Sequence, residues 1–513
     1  MRPCVAFVVD GPPSAWIARA VRLAAAEAER TYVLLLADAP ARRGTLPAAF
    51  RAYAAIDRRF LGGGGLDPLA PGELADLEPA RVLEVEELER LGSVVRDLEA
   101  DVVVDLTSRE RVEPGHVQAE LWALRHDGEP AVSPFAIFRA FAEAAPTCTT
   151  ELVRRTADCD RVLYRTHSLV RRLSFQRTRS PIYWKTAALP ARVLRQPRRE
   201  LGDVVTRRLP APSTRELVRL ASRLARVVRV SLRERLATRP SWSIAWRTTA
   251  ERTAESGGFV PTGVLDPPAD AFYADPFVAT HDGRHYLFYE AYRRRLGRAE
   301  LVAGELGATL ERPQTILSRP YHLSYPFVFQ ADSTHYLVPE SAEDRRVQLY
   351  RATAFPWTWE TDATLLDDVA AYDPTLIEHE GRQYLFVAIP EPGSDIDELH
   401  VYWADDLRGP YRPHPLNPVV SDVRSARPAG RIYRDRDVLV RPAQDGAGGY
   451  GSAVVLNEIV RLTPDEYEEV PRSRIAPAWD ATALGTHTVD HDGSIEVLDV
   501  KTLQPRRRRR SAV

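Results

Sequence analysis

The chain has 513 residues, which is too long for a single hydrophobic core, so we expect two or three domains. Acidic and basic residues nearly cancel at a formal net charge of −2, and this balance does not indicate nucleic acid as a partner. The three cysteines are odd in number and lack metal-ligand spacing, which favours a reduced cytoplasmic protein without a metal centre. No apolar run reaches the roughly 18 residues that a transmembrane helix needs.

The first 165 residues alternate between apolar runs and helical periodicity. Residues 5–9, 32–36 and 102–106 are typical of buried strands, and residues 14–29 predict a helix between the first two. Strand, helix and strand in this order indicate a parallel sheet. We therefore predict a Rossmann-like α/β domain over residues 1–165.

Two segments of this domain resemble the formyltransferase-like domains of bacterial polysaccharide loci. They are the opening strand that ends in Asp10-Gly11, and Leu121–Gly128, which lies where those domains carry a Trp-x-x-His-His-Gly-Asp-like segment. The resemblance implies that His126 and Asp127 could act as acid and base on a carbonyl group. The Asn-x-His pair of the folate-dependent enzymes is absent, so we interpret both as surface residues of a domain that no longer transfers formyl groups.

Residues 166–254 change to helical periodicity and positive charge. Leucines and valines recur at spacings of three and four with arginines between them, which predicts a basic amphipathic helix over residues 215–236. We interpret the region as a helical basic linker whose helix packs between two domains with its arginines in solvent. The alternative is that the helix lies on the anionic inner face of a membrane as a peripheral contact.

One sequence pattern recurs five times after residue 255. Each copy combines an inner strand, a turn often built on Asp-Gly or Glu-Gly, and a return strand. The first four copies carry anchor prolines that are 50, 48 and 54 residues apart, namely Pro276, Pro326, Pro374 and Pro428. Because a fixed period of this size marks repeated units, we predict a five-bladed β-propeller over residues 255–503. A disordered basic tail is expected over residues 504–513.

The residue before each anchor proline is expected to face the central funnel, because the first strand of a propeller blade lies innermost. With one residue of the weaker fifth copy, this ring comprises Asp275, Tyr325, Asp373, Arg427 and His487. Two carboxylates, a guanidinium, an imidazole and a phenol do not form an apolar plug. The ring therefore predicts a polar site.

Two glutamates, Glu290 and Glu340, lie 15 residues after the ring residues of the first and second blades. We expect both near the funnel, with Glu340 as a proton donor. The third copy has Ala388 at the equivalent position, and the fourth offers Gln444 and Asp445. Asp-Pro pairs also begin turns without any function, but carboxylates at matched positions of three blades favour a functional site.

Residues 255–500 resemble the five-bladed propellers of the superfamily of glycoside hydrolase families 43, 32, 68 and 130. The resemblance is strongest to the propeller at the N-terminus of plant glucosamine inositolphosphorylceramide transferases. The motifs that carry it are long and ordered: Ala274–Phe277, His322–Phe327, Val338–Ser341, Leu349–Arg351, Asp373–Thr375, His414–Pro418, Ser425–Gly430 and Arg441–Asp445.

The resemblance implies catalytic roles for three carboxylates. Hydrolases of the superfamily use a first-blade carboxylate as base or nucleophile, a second Asp that sets pKa and orientation, and a Glu as general acid. These roles fall on Asp275, Asp373 and Glu340, although the order along the chain, Asp-Glu-Asp, departs from the usual Asp-Asp-Glu. Arg427 and His487 add positive charge, which favours an anionic group such as phosphate in the substrate.

We therefore predict a cytoplasmic carbohydrate-active enzyme that hydrolyses or transfers a glycosidic bond in polysaccharide or glycolipid metabolism, without a cofactor. Its expected ligand is a glycan or a sugar phosphate. Two alternatives stay open: a non-catalytic glycan-binding propeller fused to a degenerate formyltransferase-like domain, and a scaffold held at a membrane by the basic helix. The residues expected to bind substrate are Glu290, Tyr325, Arg427, Gln444, Asp445 and His487.

Overall fold

The computed structural model describes residues 2–37, 48–60, 65–74, 81–108, 110–133, 135–196, 200–202, 213–249, 255, 257–477 and 479–505. The chain divides into two compact units. The first comprises Met1–Val230 with Pro390–Asp395, and the second comprises Ser231–Ile389 with Ile396–Val513. From residue 506 onward, the predicted basic tail lies outside the described residues.

The first unit is built on one mixed sheet. Its strands are β1 (Cys4–Val9), β2 (Arg30–Leu36), β3 (Val82–Val85), β4 (Val102–Leu106), β5 (Glu120–His126), β6 (Glu129–Pro130), β7 (Thr147–Arg155) and β8 (Asp160–Leu169). In space they follow the order β3-β2-β1-β4-β5-β7-β8, with β6 beside β5. The first five pair in parallel, and β7 and β8 pair antiparallel. The three predicted strands are found as β1, β2 and β4, whereas the formyltransferase resemblance stays a prediction.

Helices cover this sheet and carry the chain toward the second unit. They are α1 (Ala15–Glu27), α2 (Ala48–Phe60), α3 (Leu91–Asp97), α4 (Phe138–Glu143), α5 (Phe175–Thr186), α6 (Leu189–Arg195) and α7 (Thr214–Ala237). On α1 the buried residues include Trp16, Ile17 and Val21, at the spacing of one helix face. Among the described helices, none has an apolar stretch long enough to span a membrane.

The predicted helical linker over residues 166–254 is not a separate region in the structure. Strand β8 continues the sheet to Leu169, and Ile182, Leu189 and Leu220 lie in the same hydrophobic core as the sheet. Burial of each such side chain contributes about 1.5–3 kcal/mol, so the part of this segment up to Val230 folds with the first unit. The exposed residues of α7 include Arg215, Arg219, Arg226 and Arg229.

The second unit is a five-bladed β-propeller of antiparallel sheets. Its first four blades consist of β11 (Ala271–His281), β12 (Arg284–Arg293), β13 (Arg298–Leu306) and β14 (Leu310–Leu317); β15 (Ser324–Ala331), β16 (Thr334–Glu340), β17 (Arg346–Ala354) and β18 (Thr358–Asp367); β19 (Tyr372–His379), β20 (Arg382–Ala388), β21 (Glu398–Ala404), β22 (Arg412–Pro413) and β23 (Val420–Ser421); and β24 (Tyr433–Asp435), β25 (Val438–Asp445), β26 (Ala453–Leu462) and β27 (Tyr467–Ile475). Neighbouring blades share one core, in which Phe277 and Phe288 lie with Phe327 and Leu337.

The fifth blade is assembled from both ends of the unit. Strands β9 (Thr238–Thr248) and β10 (Gly263–Leu265) precede the first blade, whereas β28 (Val489–His491) and β29 (Ile495–Pro505) follow the fourth. Along its full length β9 pairs antiparallel with β29, which removes the open sheet edge that β29 would otherwise present. The propeller therefore begins at residue 238, earlier than the predicted boundary at residue 255.

The innermost strands of the first three blades contain a β-bulge before the anchor proline. The pairing register of the first blade shifts between Ala274 and Phe277, and the second and third blades shift at equivalent places. At the bulges, Asp275, Tyr325 and Asp373 have φ angles of 50°, 46° and 51°. Non-glycine residues seldom adopt positive φ, and both this strain and the bulge itself are concentrated near functional sites. The bulge redirects each of these side chains toward other blades.

Candidate active site in the propeller funnel

Four buried carboxylates interact in the funnel, and we call them the carboxylate cluster. Asp275 and Asp373 come from the bulges of the first and third blades, and Glu290 and Glu340 come from the return strands β12 and β16. These residues are between 1% and 6% exposed. In each return strand the glutamate lies opposite the residue that precedes the bulge, so the two glutamates are equivalent in register. The charge of Glu290 is coupled to those of the other three.

Asp275 is held by groups from two other blades. Thr488 donates its hydroxyl to Oδ1 at 2.7 Å, and the backbone N–H of Tyr325 donates to Oδ2 at 3.2 Å. The imidazole Nε2 of His487 lies 3.4 Å from Oδ1. Burial, with the charges of Asp373 and Asp499, raises the pKa of Asp275 to about 6, although the nearby imidazole of His487 lowers it in part. Asp275 therefore changes charge close to neutral pH.

His487 forms a bridge between two carboxylates. Its Nδ1 lies 2.5 Å from Oδ2 of Asp499, while its Nε2 faces Asp275. Burial alone would lower the pKa of the imidazole, but the charges of Asp499 and Asp275 outweigh burial and raise it. Asp499 also accepts the backbone N–H groups of His487 and Thr488, at 2.8 and 3.2 Å. The pair thus fixes one side of Asp275.

Sequence reasoning did not identify Asp499 as part of this site. It lies on β29, the return strand of the fifth blade, and its neighbours Leu498 and Val500 are buried. A carboxylate between two buried apolar residues on a return strand was the available signal. The sequence pattern is weak in the fifth copy because the inner strand β28 has only three residues. The position of Asp499 therefore could not be matched to Glu290 and Glu340 from the sequence.

Asp373 is paired with the guanidinium of Arg427. The Nε atom of Arg427 lies 2.5 Å from Oδ2 of Asp373, and Nη2 lies 3.3 Å from Oδ1, which is a two-pronged contact. The side-chain amide of Gln444 donates to Oδ2 of Asp373 at 3.0 Å. The structure thus brings Asp373, Arg427 and Gln444 together.

Glu340 lies beside this pair, and its contact with a cation is long. Its Oε2 accepts the backbone N–H of Asp373 at 3.3 Å, and Nη2 of Arg427 is 3.8 Å away. Burial and then the charge of Asp373 raise the pKa of Glu340 well above its ordinary value, although Arg427 opposes this shift. Glu340 is therefore suited to hold a proton at neutral pH.

Glu290 is the second carboxyl group with a strongly raised pKa. Burial and then the charges of Asp275 and Glu340 raise this pKa well above its ordinary value. The Nε2 atom of His322 lies 3.5 Å from Oε1 of Glu290. Because Nδ1 of His322 accepts the backbone N–H of Ala299, the proton of the neutral imidazole is assigned to Nε2, facing Glu290.

Two predicted binding residues have other contacts in the structure. Tyr325 is fully buried, and its hydroxyl bonds Thr375 at 2.8 Å and accepts the backbone N–H of Gly430 at 2.7 Å. Asp445 accepts Nε of Arg474 at 3.0 Å, and its described contacts do not include the carboxylate cluster. Tyr325 therefore ties the second, third and fourth blades together, while Asp445 holds a strand of its own blade.

One group of described residues offers ligand atoms for a metal ion. Atoms of Asp275, His487 and Asp499 lie within 4.8 Å of one another. However, the two carboxylates contact opposite nitrogens of the imidazole, and only one of these nitrogens can face any given ion. The geometry fits an Asp-His-Asp bridge of charge contacts better than a metal cage.

The arrangement has the elements of acid and base chemistry. Two carboxyl groups, Glu290 and Glu340, have pKa values raised well above the ordinary range, while that of Asp275 is raised to about 6. Such a difference allows one carboxylic acid to donate a proton while another carboxylate accepts one. The bridge to Asp499 holds Asp275 in position, and the pairing with Arg427 holds Asp373.

In the first unit, the predicted surface position of His126 is wrong. This residue ends β5 and is 1% exposed, and its Nδ1 lies 2.9 Å from the hydroxyl of Thr150. Burial lowers the pKa of the imidazole to about 3, so His126 is neutral at physiological pH. Asp127 is exposed, as interpreted from the sequence.

Comparison with known proteins places the strongest similarity in the propeller. Residues 265–489 match the family described as glucosamine inositolphosphorylceramide transferase 1, N-terminal. The rice (Oryza sativa subsp. japonica) transferase of that name is 33% identical over 238 residues, covering 45% of this chain and 31% of the relative. The Arabidopsis thaliana protein is 32% identical over 214 residues, covering 39% and 27%.

Solved structures with similarity to this chain include two glycoside hydrolases. A thermostable family-43 glycoside hydrolase has 15% identity and a TM-score of 0.32, over 39% of this chain and 75% of that chain. A family 117 glycoside hydrolase from the marine bacterium Zobellia galactanivorans has 13% identity and a TM-score of 0.35, over 52% and 91%.

This chain spans less than a third of the length of its curated relatives, at 31% and 27%. The propeller of this protein resembles the N-terminal domain of glucosamine inositolphosphorylceramide transferase 1.

Proposed function

We propose that this protein is a carbohydrate-active enzyme whose propeller funnel binds a glycan and hydrolyses or transfers a glycosidic bond. The observation that carries the proposal is the carboxylate cluster, in which two buried glutamates have strongly raised pKa values beside the ionisable Asp275. Active sites concentrate such shifts because a general acid must keep its proton near neutral pH. A purely structural cluster would pair each carboxylate with a cation.

The proposed chemistry assigns roles to three carboxylates of the cluster and to the bridge beside Asp275. Glu340 donates its proton to the glycosidic oxygen as the bond to the leaving group breaks. Asp275 accepts a proton from the attacking water, or from an acceptor hydroxyl when the sugar is transferred. Asp373, paired with Arg427, orients the sugar and Glu340. The bridge of His487 and Asp499 holds Asp275 in place.

The contacts of the cations favour a neutral sugar at this site over a sugar phosphate. Arg427 makes a two-pronged contact with Asp373, and His487 lies between Asp275 and Asp499. A phosphate would have to compete with carboxylates that already neutralise both cations. We therefore propose that the substrate presents hydroxyl groups to the cluster, with a phosphate outside it if one is present.

A second candidate is a non-catalytic glycan-binding propeller. The observation in its favour is that the matched relatives are about three times as long as the matched region, which covers only 31% of the rice protein. The transferase activity in that protein's name belongs to the whole chain. Under this candidate, the funnel would bind a glycan that another protein or domain modifies.

A screen for turnover distinguishes the two candidates. Wild-type protein would be incubated with p-nitrophenyl glycosides of galactose, xylose, arabinose and glucosamine, and with nucleotide sugars together with an inositol phosphate acceptor. The variants are Asp275→Asn and Glu340→Gln, which keep shape but remove the proposed base and acid. Loss of a positioned acid or base should lower turnover at least about a hundredfold.

The matched control is Asp368→Asn, because Asp368 is an exposed carboxylate paired with Arg345 on the outer part of the second blade. It should leave turnover unchanged. Glycan binding without turnover in the wild type would favour the binding module. Full turnover by Asp275→Asn would show that this carboxylate is structural.

A further inference from the structure

One aromatic side chain lies unexpectedly open to solvent beside the carboxylate cluster. Among the described residues, the exposed large hydrophobic side chains are aliphatic except for Tyr450, which is 51% exposed. Trp242 and Tyr325, two other aromatic residues around the funnel, are buried. An exposed aromatic ring at a polar site is typical of a ligand contact.

The ring of Tyr450 covers the two cations of the site. The guanidinium carbon of Arg427 lies 5.3 Å from the centre of the ring, which is within the range of a cation–π contact. The imidazole of His487 lies at a centroid distance of 5.1 Å with an interplanar angle of 70°. A single side chain therefore separates Tyr450 from each of two carboxylates. Arg427 lies between Tyr450 and Asp373, and His487 lies between Tyr450 and Asp275.

The chain around Tyr450 fixes the position of this ring. The following residue, Gly451, has φ of 68°, and a Cβ atom there would lie 2.3 Å from the ring of Trp242. A side chain at residue 451 would therefore push the segment away from the fifth blade. The ammonium group of Lys501 donates to the backbone carbonyl of Tyr450 at 2.5 Å. The ring is thus held beside the cluster while half of the residue stays exposed.

The hydroxyl of Tyr450 is available as a hydrogen-bond donor. No hydrogen bond from it is found within the described part of the chain. Burial of the hydroxyl end, with the charges of Asp275, Asp373 and Glu290, raises the pKa of the phenol well above its ordinary value, against the effect of Arg427. The phenol therefore keeps its proton at any physiological pH.

We propose that Tyr450 forms a sugar-binding subsite, in which its ring stacks on the C–H face of a sugar ring and its hydroxyl donates to a sugar oxygen. Sugars combine an apolar face with polar edges, and a half-exposed tyrosine beside buried carboxylates offers the complementary groups. This inference rests on the proposed function, since it names the contact that places a sugar against the cluster. It adds a specificity-determining residue to the site.

The test measures binding of defined sugars by saturation-transfer NMR and by calorimetry. The probes are the methyl glycosides of galactose, xylose, arabinose and glucosamine. Tyr450→Ala removes the ring and should weaken binding of the probe that the wild type prefers at least about tenfold. Tyr450→Phe keeps the ring and should lose about threefold, for one hydrogen bond. If the probe is also turned over, KM should rise more than kcat falls.

The matched control is Val460→Ala, since Val460 is 54% exposed on β26 and takes no part in the proposed site. All variants should keep the wild-type melting temperature within a degree or two, because both altered side chains are about half exposed. Binding that persists in Tyr450→Ala overturns this inference alone. Wild-type protein that binds none of the probes contradicts the proposed function and, with it, this inference.

Discussion

The two units of this protein both bury charged side chains, but they do so in different ways. In the first unit, Arg125 is 1% exposed and contacts Glu110 through two bonds of 2.7 and 2.9 Å. Its third nitrogen lies 2.7 Å from Asp160. In the funnel of the second unit, by contrast, buried acidic groups outnumber the cations that contact them. These groups are Asp275, Glu290, Glu340, Asp373 and Asp499, against Arg427 and His487.

Under the proposed function, the difference separates charges that stabilise a fold from charges that take part in a reaction. A buried carboxylate with a close cation stays ionised and acts as a fixed structural contact. A buried carboxylate without one has a raised pKa and tends to keep its proton, as expected for Glu290 and Glu340. The comparison therefore predicts opposite effects on stability when the two kinds of charge are removed.

The largest effect is expected when the paired cation of the first unit is lost. Arg125→Leu removes the closest cation of the buried Glu110 and leaves it only Arg155, whose Nε is 3.8 Å away, so the free energy of unfolding of this unit should fall by about 3–5 kcal/mol. Urea titration followed by circular dichroism would measure it. A change below about 1 kcal/mol would mean that water reaches this pair and would weaken the comparison.

Removal of a funnel charge should instead lower activity without lowering stability. Asn adopts positive φ more readily than most residues, so Asp275→Asn fits the bulge at φ of 50°. Turnover should fall at least about a hundredfold, whereas the melting temperature should stay equal or rise. Calorimetry beside the turnover assay would test both. A fall of several degrees would place Asp275 among the structural charges.

The same residue predicts a pH dependence of stability. The pKa of Asp275 is raised to about 6 in the folded protein, above the value of about 3.9 expected after unfolding. The folded state therefore binds the proton more tightly, so this group destabilises the fold at neutral pH, and the penalty shrinks as pH falls below about 6 and is gone only below about 3.9. The stability advantage of Asp275→Asn, about 1–3 kcal/mol at pH 7.5, should shrink toward pH 5. A stability advantage that grows as the pH falls would contradict the predicted direction of this pH dependence.

The smallest effect is expected for a surface ion pair, which serves as the reference for both units. Arg90 lies 3.6 Å from Glu86, with side chains that are 66% and 80% exposed. Arg90→Ala should change the free energy of unfolding by no more than about 0.5 kcal/mol, because solvent screens the pair. Thermal denaturation at low and high salt would measure this change. A clear loss of stability would show that solvent exposure does not by itself make an ion pair weak.

Much of the propeller could be predicted from sequence because the repeats preserve local geometry. Asp275 and Asp373 precede prolines at matched positions, and both lie at bulges with positive φ. The equal spacing of Glu290 and Glu340 places both opposite the residue before a bulge. Alternation and spacing are local properties of a strand, so they are visible in the chain itself.

The boundaries could not be predicted because they depend on distant pairing. Strand β9 belongs to the propeller only because β29, more than two hundred residues later, pairs with it. Likewise, Leu220 belongs to the first unit because its side chain lies in the core formed by the sheet. Helical periodicity showed that an apolar face existed, but it did not show which surface that face covers.

The sequence by itself determined the repeat period, the blade number and the four carboxylates of the cluster, because strand alternation and turn residues act over a few neighbours. Only the tertiary structure decided which charges are neutralised. It paired Arg427 with Asp373, placed His487 between Asp275 and Asp499, and left Tyr450 open to solvent. Charge pairing depends on distances of a few ångströms between blades, and burial strengthens each contact, so the chemistry of this site exists only in the closed propeller.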